Sequence, residues 1–186
     1  MAGESGATGA VRPPFEGELI RLRAIEESDL EWVNGHFWNP NVTRFLEIVW
    51  PEPVEGTRAF VERTRTSQDS LTLLIETLAG ERAGVCGLEA VQGRMRAADF
   101  GIWLDEQFWS RGLGTDAART ICRFGFREMN LQRIELHVYD FNGRGIRAYE
   151  KVGFREEGRL RRDQFVDGHP VDVVVMGLLA GELVEA

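Results

Sequence analysis

The stretch WSRGLGTDA, Trp109 to Ala117, places two glycines one residue apart where a loop runs into a helix. Gly112 and Gly114 there leave consecutive backbone N–H groups open at the positive end of the helix dipole, a ready cradle for a pyrophosphate. Arg111 beside them can add charge-assisted hydrogen bonds. The plainer alternative is a tight turn before a helix. The window also fits a dinucleotide fingerprint through Gly112, Gly114 and Ala117, with Asp140 as the ribose acid. Two features oppose it: DEQFWSR separates the preceding strand from Gly112, and too few βα units follow Asp140.

A second stretch, VYDFNGRGIRAYEKVGF from Val138 to Phe154, runs from a strand end into a helix. Taken singly, Asn142 is a helix cap and Tyr149, two turns in, a half-buried aromatic.

The elements that must position these residues follow from periodicity. Leu19 to Arg23 alternates as a strand, and Ser28 with Glu31 forms a capping-box pattern ahead of Leu30 and Val33. Asn39-Pro40 breaks the chain, and Pro53 opens a helix to about Arg65. Strands over Leu71 to Glu76, Ala83 to Ala90 and Ala97 to Leu104 form a meander, turning at Leu78-Ala79-Gly80 and Gln92-Gly93. Leu113, Ala117, Ile121 and Phe124 then recur at helical spacing. Ile134 to Val138 is a strand, Asn142 to Val152 a helix, and Phe154 to Leu160 and Val171 to Leu179 join through Asp167-Gly168. The fold class is α+β, a single domain with a mixed, largely antiparallel sheet of about seven strands, a crossover with at least one parallel pair and about four helices.

Length and composition agree with one domain: 186 residues, 43% hydrophobic and 28% charged. The small polar residues 1–14 read as a disordered leader, 15–182 as the domain and 183–186 as a tail. No stretch has the roughly 18 apolar residues of a membrane span. Thirty acids against 22 bases give a net charge of −8, which argues against nucleic acid and anionic membranes as partners. Two cysteines, Cys86 and Cys122, build no disulfide framework and suit a reducing cytoplasm. His36, His137 and His169 lack ligand spacing, so no metal site is expected.

Together the two chemical stretches resemble the GNAT superfamily of acyl-CoA-dependent N-acyltransferases. The similarity is to its branch containing ribosomal-protein alanine and spermidine acetyltransferases. RLRAIEESDLEWV and NPNVTRFL resemble the opening strand and helices, and DFGIWLDEQFWSRGLGTDA the acetyl-CoA strand and loop. NGRGIRAYEKVGF resembles the Asn…Tyr-Glu-Lys-x-Gly-Phe helix, and DGHPVDVVVMGLL the closing hairpin.

The resemblance implies transfer of an acetyl group from acetyl-CoA, as co-substrate, to a primary amine in a ternary complex. It implies a cofactor wedged between splayed strands 97–104 and 132–139, bonded by backbone groups of Ile102, Trp103 and Leu104. Arg111, Gly112, Leu113, Gly114 and Thr115 then hold the pyrophosphate, and Asn142 bonds the cofactor chain. Tyr149 is placed by the thioester sulfur as proton donor. Arg144, Arg147 and Lys151 are read as solvated helix charges or partners of the adenosine phosphates. Gly145 departs from the pattern, standing where a serine often follows the asparagine, and Trp109 stands where many members carry Gln or Arg.

Attack on a thioester needs a neutral amine, and the general-base candidates are Asp99 and then Glu89. Trp32, His36, Phe37 and Trp38 read as core packing or an acceptor wall, and Asp172 as a further acceptor contact. The resemblance also carries the expectation of a homodimer. A non-catalytic acyl-CoA-binding domain is the alternative on the same fold.

Overall fold

The computed structural model describes residues 13–47, 50–67, 70–91 and 96–185. Strand β1 (Ile20–Arg23) passes through a 3-10 turn into α1 (Leu30–Phe37), α2 (Pro40–Thr43) and α3 (Val54–Thr66). The meander β2 (Ser70–Thr77), β3 (Arg82–Val91) and β4 (Ala97–Leu104) follows. Then α4 (Leu113–Arg127), β5 (Arg133–Tyr139), α5 (Gly143–Glu150), β6 (Arg155–Val166) and β7 (His169–Leu179) complete the domain. The seven strands form one sheet in the order β1-β2-β3-β4-β5-β7-β6. Only β4 and β5 are parallel, with α4 as their crossover.

One face of the sheet buries Leu88, Ala98, Ile134 and Leu178 against Ala117, Ile121 and Cys122 of α4. The apolar stripe of α4 therefore decides which sheet face is core. Among the described residues the other face is covered at one end, where Val33 of α1 meets Leu74 and Val85 and Trp32 stacks on Trp103 at 6.0 Å. Farther along that face Asp99 and His137 stand exposed. The buried carboxylate of Asp116 accepts from the N–H groups of Leu19 (2.7 Å) and Ile20 (3.2 Å), tying β1 to the start of α4.

Two local details differ from the pattern in the sequence. The capping box before α1 is formed by Glu26 and Asp29, not Ser28 and Glu31. Asp29 is drawn inward because it is fully buried and accepts from Arg23 (2.7 and 3.1 Å), Arg82 (2.7 Å) and the Glu26 N–H (2.9 Å). Asn39-Pro40 starts a helix rather than only breaking the chain, since Asn39 accepts from the Asn41 N–H. The Asp167-Gly168 turn does join β6 to β7, both residues with positive φ (49° and 80°), as a tight hairpin requires.

Residues 1–12 of the expected leader 1–14 and the Gln92-Gly93 turn lie outside the described residues. At the other end Leu183 packs against the core, and the Val184 N–H donates to Val152 (2.9 Å). Among the described residues no helix is long and apolar enough to cross a membrane.

Candidate active site

The parallel ladder of β4 and β5 has three rungs: Ala97–Arg133, Ala98–Ile134 and Asp99–Glu135. Beyond them β4 stays paired with β3 as far as Leu104, and β5 with β7 as far as Tyr139. Each strand follows its antiparallel partner, so the two diverge and open a fork. From Phe100 to Leu104 the β4 edge has no strand opposite it, which leaves main-chain donors and acceptors for an amide-bearing ligand. One is already taken: the Leu104 carbonyl accepts from the Trp109 indole at 2.8 Å.

A cleft of about 650 Å³ runs through this fork. On its core-helix side it reaches Gly112, Gly114 and Thr115, and α5 through Asn142 and Tyr149; on the open side it reaches Asp99 and His137. Its volume suits a small-molecule site.

The two glycines stand where the loop runs into α4. Gly112 is the N-cap of α4 with φ +85° and no side-chain cap, and the first intrahelical bond is Asp116 N–H to Gly112. The N–H groups of Leu113, Gly114 and Thr115 precede that bond at the positive end of a 15-residue helix. The Leu113 side chain is buried, so only its backbone can serve a ligand. Arg111 is exposed and lies over the Phe108 ring at 5.5 Å, outside the cleft lining.

On α5, Asn142 caps its own helix by accepting from the Gly145 N–H (3.0 Å), which leaves its amide NH₂ as a donor. A Cβ at Gly145 would lie 2.7 Å from that nitrogen, so glycine permits the Asn142 rotamer seen here. Tyr149 is half-buried and edge-on both to Phe100 (6.1 Å, 89°) and to Phe154 (6.0 Å, 64°). Burial pushes its phenol up to about 12, against a smaller downward pull from the Arg144 charge. It therefore stays protonated at neutral pH. Arg147 and Lys151 are exposed along the cleft.

On the open face Glu89, Asp99 and Glu135 stand opposite one another across three strands. Burial, then the charge of Glu135, raises the Asp99 carboxyl above its ordinary range; His137 opposes this, and Glu89 adds to it. Arg133 grips Glu135 (2.9 and 3.1 Å) and also Glu157 (2.8 Å). Asp99 lines the cleft and Glu89 does not.

Some sequence candidates lie elsewhere. His36 sits 3.3 Å from Asp105 and stacks on Trp32, while Phe37 packs on Trp103. Trp32, His36, Phe37 and Trp38 all lie outside the cleft lining. Asp172 accepts from the Arg162 N–H (2.8 Å) and is also outside it. Cys86 and Cys122 are buried, and that burial pushes both thiols far up. Among the described residues no His, Cys, Asp and Glu group is arranged to hold a metal ion. The single parallel pair removes the dinucleotide alternative, which needs a parallel sheet.

What spacing did not reveal is an aromatic wall. Phe45, from the segment after α2, meets Trp109 (5.9 Å) and Phe141 (5.6 Å), and the Arg144 guanidinium lies 3.7 Å from the Trp109 ring centre. These residues come from three separate parts of the chain. The hint in the sequence was Trp109 at the start of the cradle, where many members carry Gln or Arg.

A splayed parallel pair, an amide cradle on the crossover helix and a tyrosine on the next helix define an acyl-CoA-dependent acyltransferase. The chain belongs to the acetyltransferase (GNAT) domain family, whose model matches residues 20–155. It is 31% identical over 154 residues to the spermidine N(1)-acetyltransferase of Escherichia coli K12, covering 80% of each chain. It is 26% identical to the uncharacterized N-acetyltransferase p20 of Bacillus licheniformis, covering 89% of this chain and 95% of that one. Among solved structures, the spermidine N-acetyltransferase of Vibrio cholerae in complex with CoA and spermine shares the fold. Its TM-score is 0.82 at 24% identity, over 88% of this chain and 97% of that one. The chain is an N-acetyltransferase that moves an acetyl group from acetyl-CoA to an amine.

Proposed function

We propose that the acceptor is a cationic primary amine of the polyamine class, entering from the open sheet face, with Asp99 as general base and Tyr149 as donor to the sulfur. The observation that carries this reading is one cleft lined by both residues, on opposite sides of the fork. An amine with a pKa near 10.4 arrives protonated, and a carboxylate raised by burial and by Glu135 is the better base for it. The freed nitrogen attacks the thioester carbonyl, the C–N bond forms, the C–S bond breaks with its electron pair going to sulfur, and the nitrogen's second proton is lost to solvent at the open face. The Tyr149 O–H points its proton at sulfur while charge develops there. The backbone of Ile102, the second lone pair of the Leu104 carbonyl and the Asn142 amide are the proposed holders of the cofactor chain; the main-chain groups of Trp103 face Val85 of β3 instead. The N–H groups of Gly112 to Thr115 hold its pyrophosphate, with Arg111 and Arg147 at the rim. Glu89, one strand away, adds negative potential for the acceptor.

The row Glu89, Asp99 and Glu135 supports a cationic acceptor, and the name of the Escherichia coli relative supports a polyamine. The decisive assay is acetyl-CoA consumption across polyamines, α-amino peptides and lysine peptides. Spermidine or spermine is expected to give the highest kcat/KM. Tyr149→Phe is expected to lower kcat about a hundredfold and KM little. Binding of CoA without turnover of any amine would overturn the reading in favour of a sensing domain.

We further place the enzyme in the cytoplasm, supported by its two unpaired buried cysteines, as a homodimer with a catalytic domain spanning 15–182. Light scattering tests the assembly.

A further inference from the structure

Three charged side chains outside the cleft stand in line behind Asp99. Glu135 is its partner on the last rung of the β4–β5 ladder, so the two side chains leave the same sheet face about 5 Å apart, where the fork begins. Arg133, two residues back on that face, places both Nε (3.1 Å) and Nη2 (2.9 Å) on one Glu135 oxygen, Oε2. The other oxygen is left for Asp99. Arg133 also reaches over β7 to Glu157 of β6, at 2.8 Å through Nη1 and 2.5 Å through Nη2. That reach needs Gly177 of β7: a Cβ there would lie 2.6 Å from Arg133 Nη1 and closer still to the Glu157 carboxylate.

We propose that Glu135, clamped by the Arg133 that it shares with Glu157, is a positioning residue for the reaction: it presents a fixed negative charge to Asp99 and so sets how strongly that carboxylate draws a proton from the acceptor. Charge counting gives the direction. One guanidinium between two carboxylates leaves the group net negative, and Arg133 does not neutralise Glu135 alone while Glu157 holds its other edge. Burial is the first influence on Asp99. Next, Glu135 repels the ionised Asp99 and hydrogen-bonds the protonated one, and both effects favour uptake of a proton. A stronger base suits an ammonium of high pKa, which gives up its proton less readily. Arg133, Glu135 and Glu157 all lie outside the cleft lining, so their influence runs through Asp99.

The other charged and titratable groups around Asp99 hold fixed places. Glu89 of β3 stands on its other side and adds to the effect, while His137 of β5 opposes it. β7 presents Gly177 and Val175 opposite Glu135 and His137, neither of them titratable. Elsewhere along the cleft stand Tyr139 at the end of β5, Glu47 after α2, and Arg144, Arg147, Tyr149 and Lys151 from α5.

The proposal rests on the reading of Asp99 as general base, and the pH dependence of kcat/KM keeps the two apart. In the wild type the acidic limb of that profile reports Asp99. Glu135→Gln keeps the size of the side chain and removes its charge. The limb is expected to move down by about one pH unit, with plateau kcat/KM about fivefold lower for an amine near 10.4. Glu157, exposed on the edge strand, gives the remote test. Glu157→Gln frees Arg133 for Glu135 and is expected to move the limb the same way by about half a unit. In an Asp99→Asn background neither substitution is expected to change the profile. A limb that stays in place in Glu135→Gln or in Glu157→Gln overturns the proposal. So does a loss of rate without a shift of the limb, which makes the Glu135 role structural. A limb that persists in Asp99→Asn overturns the base assignment beneath it, and no turnover of any amine by the wild type overturns the acetyl-transfer reading itself.

Discussion

Asp99→Asn separates catalysis from stability at a single atom. In the fold, Asp99 faces Glu89 on one side and Glu135 on the other. Like charges on adjacent strands each cost roughly 0.2–1 kcal/mol, and Asp99 is exposed enough for solvent to screen them, so the two together cost about 1 kcal/mol. Its carboxyl is raised in the folded state, so ionising it works against folding. That penalty is absent below the unfolded value of about 3.9 and complete once pH exceeds the raised folded value. Asp99→Asn is therefore expected to raise Tm by about 2–4 °C at pH 8 and not at all at pH 3. Over the same substitution kcat/KM is expected to fall about a hundredfold or more for an amine with a pKa near 10.4, and less for one near 8. Thermal unfolding at the two pH values, with initial rates on both amines, tests this. An Asn variant less stable at pH 8, or equally impaired on both amines, refutes the reasoning.

Three further outcomes follow from the same geometry. Gly112→Ala forces a side chain into φ +85° and puts a Cβ 3.2 Å from Leu19, so it is expected to cost about 1–2 kcal/mol and to raise KM for acetyl-CoA more than it lowers kcat, as steady-state kinetics would read. Asp29→Ala strips a fully buried carboxylate from Arg23 and Arg82 and is expected to cost about 3 kcal/mol in urea unfolding. Burial opposes ionisation of Asp29, yet its hydrogen bonds hold it down at about 2, so this stabilisation is complete above the unfolded value and disappears only as pH falls towards 2. Cys86 and Cys122 are expected to resist thiol reagents in the native protein and to react on denaturation, because burial keeps both protonated.

Much of the site was legible because it lies in two short local patterns. Gly112-x-Gly114 ahead of a helix and Asn142 with Tyr149 on one helix are encoded by neighbours in sequence, and local backbone rules suffice to place them. Asp99 was legible as a polar position on an alternating strand. Helix α2 is hidden from local signals because Asn39-Pro40 carries a stop and a start in one dipeptide, and the resemblance of NPNVTRFL to the opening helices is what points to it. Asp29 displaced Ser28 and Glu31 at the first cap because Arg82, 53 residues away, competes for it, and no local rule sees that.

By itself the sequence determined the element order, a crossover and the glycine pair ahead of a helix, which depend on residues within a few positions of each other, while the roles expected of Asp99 and Tyr149 came with the family resemblance. Only the tertiary structure decided where the fork opens, since that depends on β4 following β3 and β5 following β7 past the Asp99–Glu135 rung. It also decided that Glu135 raises Asp99, and that Phe45, Trp109 and Arg144 form one wall. Coulomb forces and ring stacking act through space over a few ångströms, whatever the distance along the chain.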